Sequence, residues 1–213
     1  HMSTNIAVIG VGSPLLDLLA QVDEAFLANV PGRKGGMEML DAAGMKQLLA
    51  RLPGKPVSAP GGSAANTIQG LAHLGLRTAF LGKLGRDDIG EQYCDGAVAA
   101  GVATSRFKVS DGTPTGCCLC LITPDAERTC RTHLGAAGEL QLADVSVADF
   151  ANCELAHLEG YMLYNQPVAR AVFAAAKAAD CLISLDLSSF EVVKHNHDLI
   201  VELLPQVDIV FAN

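Results

Sequence analysis

The sequence predicts an α/β fold: a doubly wound, mostly parallel sheet with a small β-sheet appendage. Short, wholly apolar runs alternate along the chain with segments of helical spacing, and this alternation builds right-handed βαβ units. A few runs flanked by Pro or Gly mix polar with apolar positions and stand outside the alternation, as half-exposed strands do. With 213 residues, half of them apolar, the chain can bury one sizeable core.

The first element is Ile6-Ala7-Val8-Ile9-Gly10-Val11-Gly12, a continuous apolar run closed by glycines, as expected of a strand buried on both faces. Residues 33–40 and 115–123 are the half-polar runs, read as strands of a separate small sheet. From Asp41, placed to cap a helix, Ala42, Met45, Leu48, Leu49 and Leu52 follow helical spacing until Pro53-Gly54 stops it. Residues 63–74 repeat the device, with Ser63 as cap, Ala64, Ile68, Leu71 and Ala72 on one face, and Gly75 as left-handed terminator. Residues 78–82 then read as a strand, 89–101 as a helix, 154–158 as a strand, and 167–179 as an Ala-rich helix with Pro167 near its start. Strand 181–187, helix 192–204 and strand 207–211 complete the pattern. The chain finishes on that last apolar strand, which normally leads into more sheet, so residues 5–213 are expected to form an incomplete domain.

Composition excludes several classes of function. A formal charge of −8 and scattered Lys and Arg argue against a nucleic-acid surface or an anionic membrane. Apolar runs are broken by Asp17, Asp23, Arg77 or Lys83 well short of the ~20 residues a membrane helix needs. His1-Met2 reads as a cloning remnant, and no signal-peptide pattern follows it, so a cytoplasmic address is expected. The seven Cys (94, 117, 118, 120, 130, 153 and 181) sit in apolar segments without C-x-x-C pairs and read as reduced thiols. Cys117, Cys118 and Cys120 do not read as a metal site, because adjacent strand residues point to opposite faces. The histidines show no triad or metal spacing, and Arg128 and Arg131 receive no role.

The segment richest in chemistry is Gly61-Gly62-Ser63-Ala64-Ala65-Asn66. Two glycines before a helix let a ligand approach the main chain, and Asn66, one turn in, offers an amide donor and acceptor. Spacing alone fits a plain tight turn into a capped helix equally well. Asp17 follows the first strand, where doubly wound sheets bind ligands, and an ionised carboxylate there could accept hydrogen bonds from two neighbouring hydroxyls of a sugar. The plain alternative is a loop or cap residue.

Gly61-Gly62-x-Ala64-x-Asn66, followed by Gly75 and Gly85, resembles the first signature of the ribokinase (PfkB carbohydrate and nucleoside kinase) family, over residues 6–213. The resemblance extends to Gly12-Ser13-Pro14-Leu15-Leu16-Asp17, Gly82-Lys83-Leu84-Gly85-Arg86-Asp87-Asp88-Ile89-Gly90, Asp125-Ala126-Glu127-Arg128-Thr129 and Leu185-Asp186-Leu187-Ser188-Ser189. Two residues depart from the pattern. Ile68 stands where the family prefers a small residue, at a position expected to face the core, and Ser13 stands where adenosine-kinase-like members carry Asn.

The resemblance implies a ribokinase-like fold with a small β-sheet lid, its strands within 33–40 and 115–133, that covers the substrate and excludes water. It implies ATP-dependent phosphorylation, with Mg²⁺, of a hydroxymethyl group of a small-molecule sugar or nucleoside, leaning towards ribose or adenosine. Asp17, Gly61, Gly62, Asn66 and Glu159 are the implied substrate contacts, although Glu159 reads as well as a surface residue. Met37, Met39, Cys118 and Leu119 are the lid residues expected to contact ligand or pack on one another, and some lids of the family dimerise, hiding an exposed edge.

No Asp-Thr-x-Gly-Ala-Gly-Asp-like segment and no Gly-x-x-x-x-Gly-Lys-Ser/Thr loop occurs in the chain. The family's catalytic Asp is therefore expected beyond Asn213, and Asn213 itself resembles the first residue of the Asn-x-x-Glu element that organises Mg²⁺ and phosphates. No catalytic residue and no metal ligand is assigned within these 213 residues. Two other readings remain: a non-catalytic module that binds a small ligand, and a dinucleotide-binding oxidoreductase suggested by Gly10-x-Gly12, which fails at Leu15 and Pro14.

Overall fold

The computed structural model describes residues 5–212, so Asn213 lies outside the described residues. Six parallel strands form the main sheet: β1 (Ile6–Val11), β5 (Thr78–Leu81), β7 (Val102–Ala103), β11 (Cys153–Glu159), β12 (Leu182–Asp186) and β13 (Ile209–Phe211). Their order is β13-β12-β11-β1-β5-β7. The reversal of winding at β1 makes the sheet doubly wound, as the alternation of strand and helix requires.

Helices cover both faces. α3 (Ser63–His73) and α4 (Asp88–Ala99) close one side, where Val8, Ala64, Ile68, Phe80, Tyr93 and Ala97 pack together. Ile68 is fully buried there, facing the core as expected. On the other side α5 (Gln166–Ala178), α6 (Phe190–His195) and α7 (His197–Leu203) bury Val172, Phe173, Val192 and Leu199 against Ile9, Val11, Leu158 and Leu185. Each fully buried Leu or Phe of this kind contributes roughly 1.5–3 kcal/mol by leaving water.

The helix expected over 192–204 is two helices. Asn196, 4% exposed, turns its side-chain amide onto Val192 O at 3.1 Å, an interaction that competes with the helical ladder and marks the break. The cap of α3 is Gly62, at φ +102°, with Ser63 already helical, since no side-chain oxygen serves as cap. Asp41 does cap α2 (Ala42–Ala50), accepting from Gly44 N at 2.7 Å, and Gly75 ends α3 at φ +89°.

The second sheet has five strands in the order β3-β10-β9-β2-β4. They are β2 (Leu15–Gln21), β3 (Met37–Met39), β4 (Val57–Gly61), β9 (Thr115–Ile122) and β10 (Arg128–Gly135). Within 33–40 only Met37–Met39 is strand. β2 and β4 were absent from the sequence reading, and Asp17, expected in a loop past β1, lies inside β2 opposite Ala59 and Cys118. The chain leaves the main sheet at Gly12 and enters the second sheet at Leu15, so a three-residue link joins the two layers.

One face of the second sheet is dry. Ala20, Leu119 and Leu121 pack on Val22, Leu27 of α1 (Glu24–Leu27), Val30, and Met45 and Leu48 of α2. Arg131 lies on this face fully buried rather than solvated; its guanidinium donates to the carbonyls of Pro31, Gly36 and Cys130 at 2.7, 3.3 and 2.8 Å. β6 (Lys83–Gly85) and β8 (Lys108–Ser110) form a separate two-stranded parallel piece. Asp87 binds this piece to the second sheet, accepting from Gly90 N at 2.8 Å, Thr115 Oγ1 at 2.7 Å and Thr115 N at 2.8 Å. No helix among the described residues is long and apolar enough to cross a membrane.

Candidate ligand-binding site at the junction of the two sheets

The site is assembled where β1 hands the chain to β2 and β4 hands it to α3. Gly62 at φ +102° is the pivot of the second hand-over, and a Cβ there would stand 2.4 Å from Ser13 O, so only glycine fits. Gly61 is also obligatory: a Cβ would stand 2.2 Å from the carboxylate carbon of Asp17. The space that Gly61 leaves is filled by the Asp17 carboxylate. Asp17 is half-buried, and burial pushes its carboxyl above the usual range against the opposing pull of the Arg128 guanidinium.

Glu159, at the carboxyl end of β11, is 2% exposed and is not a surface residue. Its Oε1 accepts from Ser13 N at 2.8 Å and its Oε2 from Ala64 N at 3.1 Å, so one carboxylate holds both hand-over segments. Burial raises its carboxyl above the usual range, while the two main-chain amides and the Ser13 hydroxyl work in the other direction. A Cβ on Gly12 would stand 2.3 Å from its carboxylate carbon, so this glycine too makes room for an acid. Each oxygen of Glu159 thus accepts one bond from the protein's own main chain.

Tyr93, 1% exposed in α4, donates its hydroxyl to Gly61 O at 2.8 Å and fixes the same segment from below. Burial, with the nearby charges of Glu159 and Asp17, pushes its phenol upward, keeping it a donor. Asn66 is exposed one turn into α3, its N–H spent on Gly62 O at 2.9 Å and its side chain facing outward. Residues 61–66 therefore meet the Asp17 carboxylate at Gly61 and present an exposed amide at Asn66.

The pleat decides which second-sheet residues share Asp17's face. Cys118 lies opposite Asp17 and Thr132 opposite Cys118, while Met39 pairs with Thr132 and Met37 with Cys130. Met37 and Met39 are exposed and Cys118 is half-buried. Leu119, expected beside them, is fully buried on the opposite face, because successive strand residues alternate. Tyr93 and the amide-binding role of Glu159 escaped the sequence reading, and no local signal announces either, since both depend on residues about 30 to 150 positions away.

Among the described residues no group of three or more His, Cys, Asp or Glu could hold a metal ion. Asp186, half-buried at the end of β12 beside Glu159, accepts from Ser188 N at 2.8 Å. The dinucleotide reading fails on topology as well, because β1 runs into another strand instead of a helix whose N-terminus could face a pyrophosphate.

The model of the pfkB family of carbohydrate kinases matches residues 39–213. The chain belongs to that family. It is 30% identical over 219 residues to an adenosine kinase of Dictyostelium discoideum, covering 99% of this chain and 64% of the relative, so it spans about two thirds of that protein's length. A probable fructokinase-6 of Arabidopsis thaliana is 27% identical over 68% of this chain and 35% of its own. Among solved structures, adenosine kinase from Sinorhizobium meliloti superposes with a TM-score of 0.88 at 34% identity, and a probable sugar kinase from Rhizobium etli CFN 42 with 0.88 at 30%. These cover 99% of this chain and 65% of each structure. The fold of this pfkB-family chain is the ribokinase-like fold of its neighbours.

Proposed function

We propose that the junction binds the hydroxyl groups of a nucleoside or sugar, with an adenosine-like substrate first, and that the whole protein phosphorylates a hydroxymethyl group at the expense of ATP. The observation that carries this reading is the half-buried Asp17 carboxylate seated over Gly61, on the face of the second sheet opposite the dry one. Two neighbouring hydroxyls can share one carboxylate, each hydrogen bond to it being worth about 1.5–3 kcal/mol.

In this reading Asp17 accepts from the ligand, Asn66 adds an amide, and Gly61 and Gly62 let the ligand approach the main chain. Glu159 and Tyr93 position that main chain and do not touch the ligand. The second sheet acts as a lid, with Met37, Met39 and Cys118 facing the ligand and water kept out. ATP supplies the phosphoryl group; Asn213 would belong to its site, and Mg²⁺ commonly accompanies it. The exposed edge at Met37–Met39 supports pairing with a second copy, which sedimentation tests.

Calorimetry or thermal shift with adenosine, ribose, fructose and NAD tests the site without requiring turnover. Stabilisation by adenosine or a sugar that disappears in Asp17→Asn is the expected result. Binding that survives Asp17→Asn unchanged would overturn the placement of the site.

A further inference from the structure

The second sheet carries a cluster of thiols beside the proposed ligand site. Cys118 and Cys120 of β9 and Cys130 of β10 project from the face shared with Asp17. The sequence placed Cys117 and Cys118 on opposite faces but gave no sign that Cys130 would arrive from the neighbouring strand. Cys118 and Cys130 are half-buried, Cys120 is 1% exposed beneath them, and all are free thiols.

Strand register singles out one pair. Cys130 stands directly opposite Cys120. Its N–H turns away to Gly36 O of the other neighbour, at 2.9 Å, so Cys120 and Cys130 form a non-hydrogen-bonded pair of the antiparallel ladder. In such a pair the Cα atoms are about 4.5 Å apart and the side chains lean together, inside the roughly 4.4–6.8 Å that a disulfide spans. Cys118 and Cys130 are diagonal neighbours, for which about 7–8 Å is usual, beyond the range bridged without moving the backbone. Arg128, exposed on β10, donates its Nε to Cys120 Sγ at 3.2 Å.

We propose that Cys120 and Cys130 form a site of reversible oxidation on the inner face of the lid, closing to a cross-strand disulfide under a small peroxide. The Cys120 thiolate attacks the O–O bond of hydrogen peroxide, giving a sulfenic acid and hydroxide. The Cys130 thiol then attacks the sulfenic sulfur, its proton leaving with the sulfenic oxygen as water, while the proton that Cys120 gave up on ionising neutralises the hydroxide, so two thiols and one peroxide yield one disulfide and two waters. Cys120 is the attacking group because its sulfur accepts from the Arg128 guanidinium, a cation that favours the thiolate. The proposal stands apart from the kinase reading, because it concerns a covalent change that no substrate is needed to detect.

The test is peroxide treatment of the purified chain followed by intact mass and peptide mapping. Trypsin cuts after Lys108, Arg128 and Arg131, so Cys120 and Cys130 fall in different peptides joined only if the bond forms. The expected result is loss of two hydrogens, a Cys120–Cys130 linked peptide pair assigned by fragmentation, and full reversal by dithiothreitol. Cys118→Ser should still cross-link, whereas Cys130→Ser should stop at oxygen-bearing forms of Cys120. No intramolecular bond in the unmutated chain, a bond mapped to Cys118, or only dimers linked between chains would each overturn the proposal. The fragmentation result decides the matter even where a serine variant fails to fold.

Discussion

The two sheets bury their residues by opposite rules. In the main sheet both faces of β1, β11 and β12 are covered, and Ile9, Val11, Leu158, Ile183 and Leu185 have no exposure. In the second sheet one face is dry, at Leu119 and Leu121, while the other carries Asp17, three cysteines and two exposed methionines. A charge placed in the first environment must be satisfied by the protein itself; one placed in the second keeps part of its surface open. Glu159 and Asp17, both above the usual carboxylate range through burial, illustrate the two cases: the first accepts from two main-chain amides, the second feels the opposing pull of the Arg128 guanidinium.

The largest expected effect follows from that contrast. Glu159→Leu strands the amides of Ser13 and Ala64, each buried donor costing about 1–3 kcal/mol, partly offset by removing a desolvated charge. A net loss near ~3 kcal/mol is expected, and at about 2–4 °C per kcal/mol for a chain of this size the thermal midpoint should fall by roughly 10 °C. Unchanged stability in this variant would break the distinction between a positioning acid and a ligand-binding one.

Gly62→Ala sharpens the same point from the main chain. The new methyl meets Ser13 O at 2.4 Å in a left-handed backbone, so a loss of about 2 kcal/mol is expected by thermal denaturation. Asp17→Asn belongs to the other region and should move affinity instead of stability. Binding of adenosine or the preferred sugar should weaken roughly 10- to 100-fold, one or two charged hydrogen bonds' worth. Stability should stay within about 1 kcal/mol of the parent, because the change relieves a carboxylate that burial disfavours. A variant that unfolds while binding normally would exchange the roles assigned to the two acids.

The two regions were unequally legible in the sequence. Strands buried on both faces announce themselves as apolar runs, which is why β1, β5, β11 and β12 were found nearly to the residue. β2 was missed because Leu15-Leu16-Asp17-Leu18-Leu19 breaks the alternation expected of a half-buried strand, and β4 because Pro60 sits in it at the sheet edge. Of the site, the glycines and Asp17 were visible because their chemistry is local to a motif. The bonds of Glu159 to Ser13 and Ala64, of Tyr93 to Gly61, and the meeting of Cys130 with Cys120 are products of topology, and a pattern confined to one segment does not contain them.

The smallest expected effect is a pH dependence of opposite sign in the two regions. Asp87 ties the base of the second sheet to α4; burial works against its ionisation, but the Thr115 hydroxyl and the amides of Gly90 and Thr115 prevail, and its carboxyl lies below the ordinary 3.8. Its stabilisation is therefore complete above the unfolded value and fades as pH falls through the lowered folded one. Glu159 lies above its ordinary 4.5, so its contribution is complete below that value and is lost as pH rises through the raised folded one. Asp87→Ala should cost about 1 kcal/mol near neutrality, the usual value of a helix cap, and the gap to the parent should close below about pH 4. The gap for Glu159→Leu should behave otherwise. Its stranded amides carry no titration, so that gap should narrow, not widen, as pH rises and the parent bears a buried charge. Melting curves of the three proteins between acid and neutral pH check both slopes, and a Glu159→Leu gap that widens with pH would show that Glu159 is stabilised by ionising.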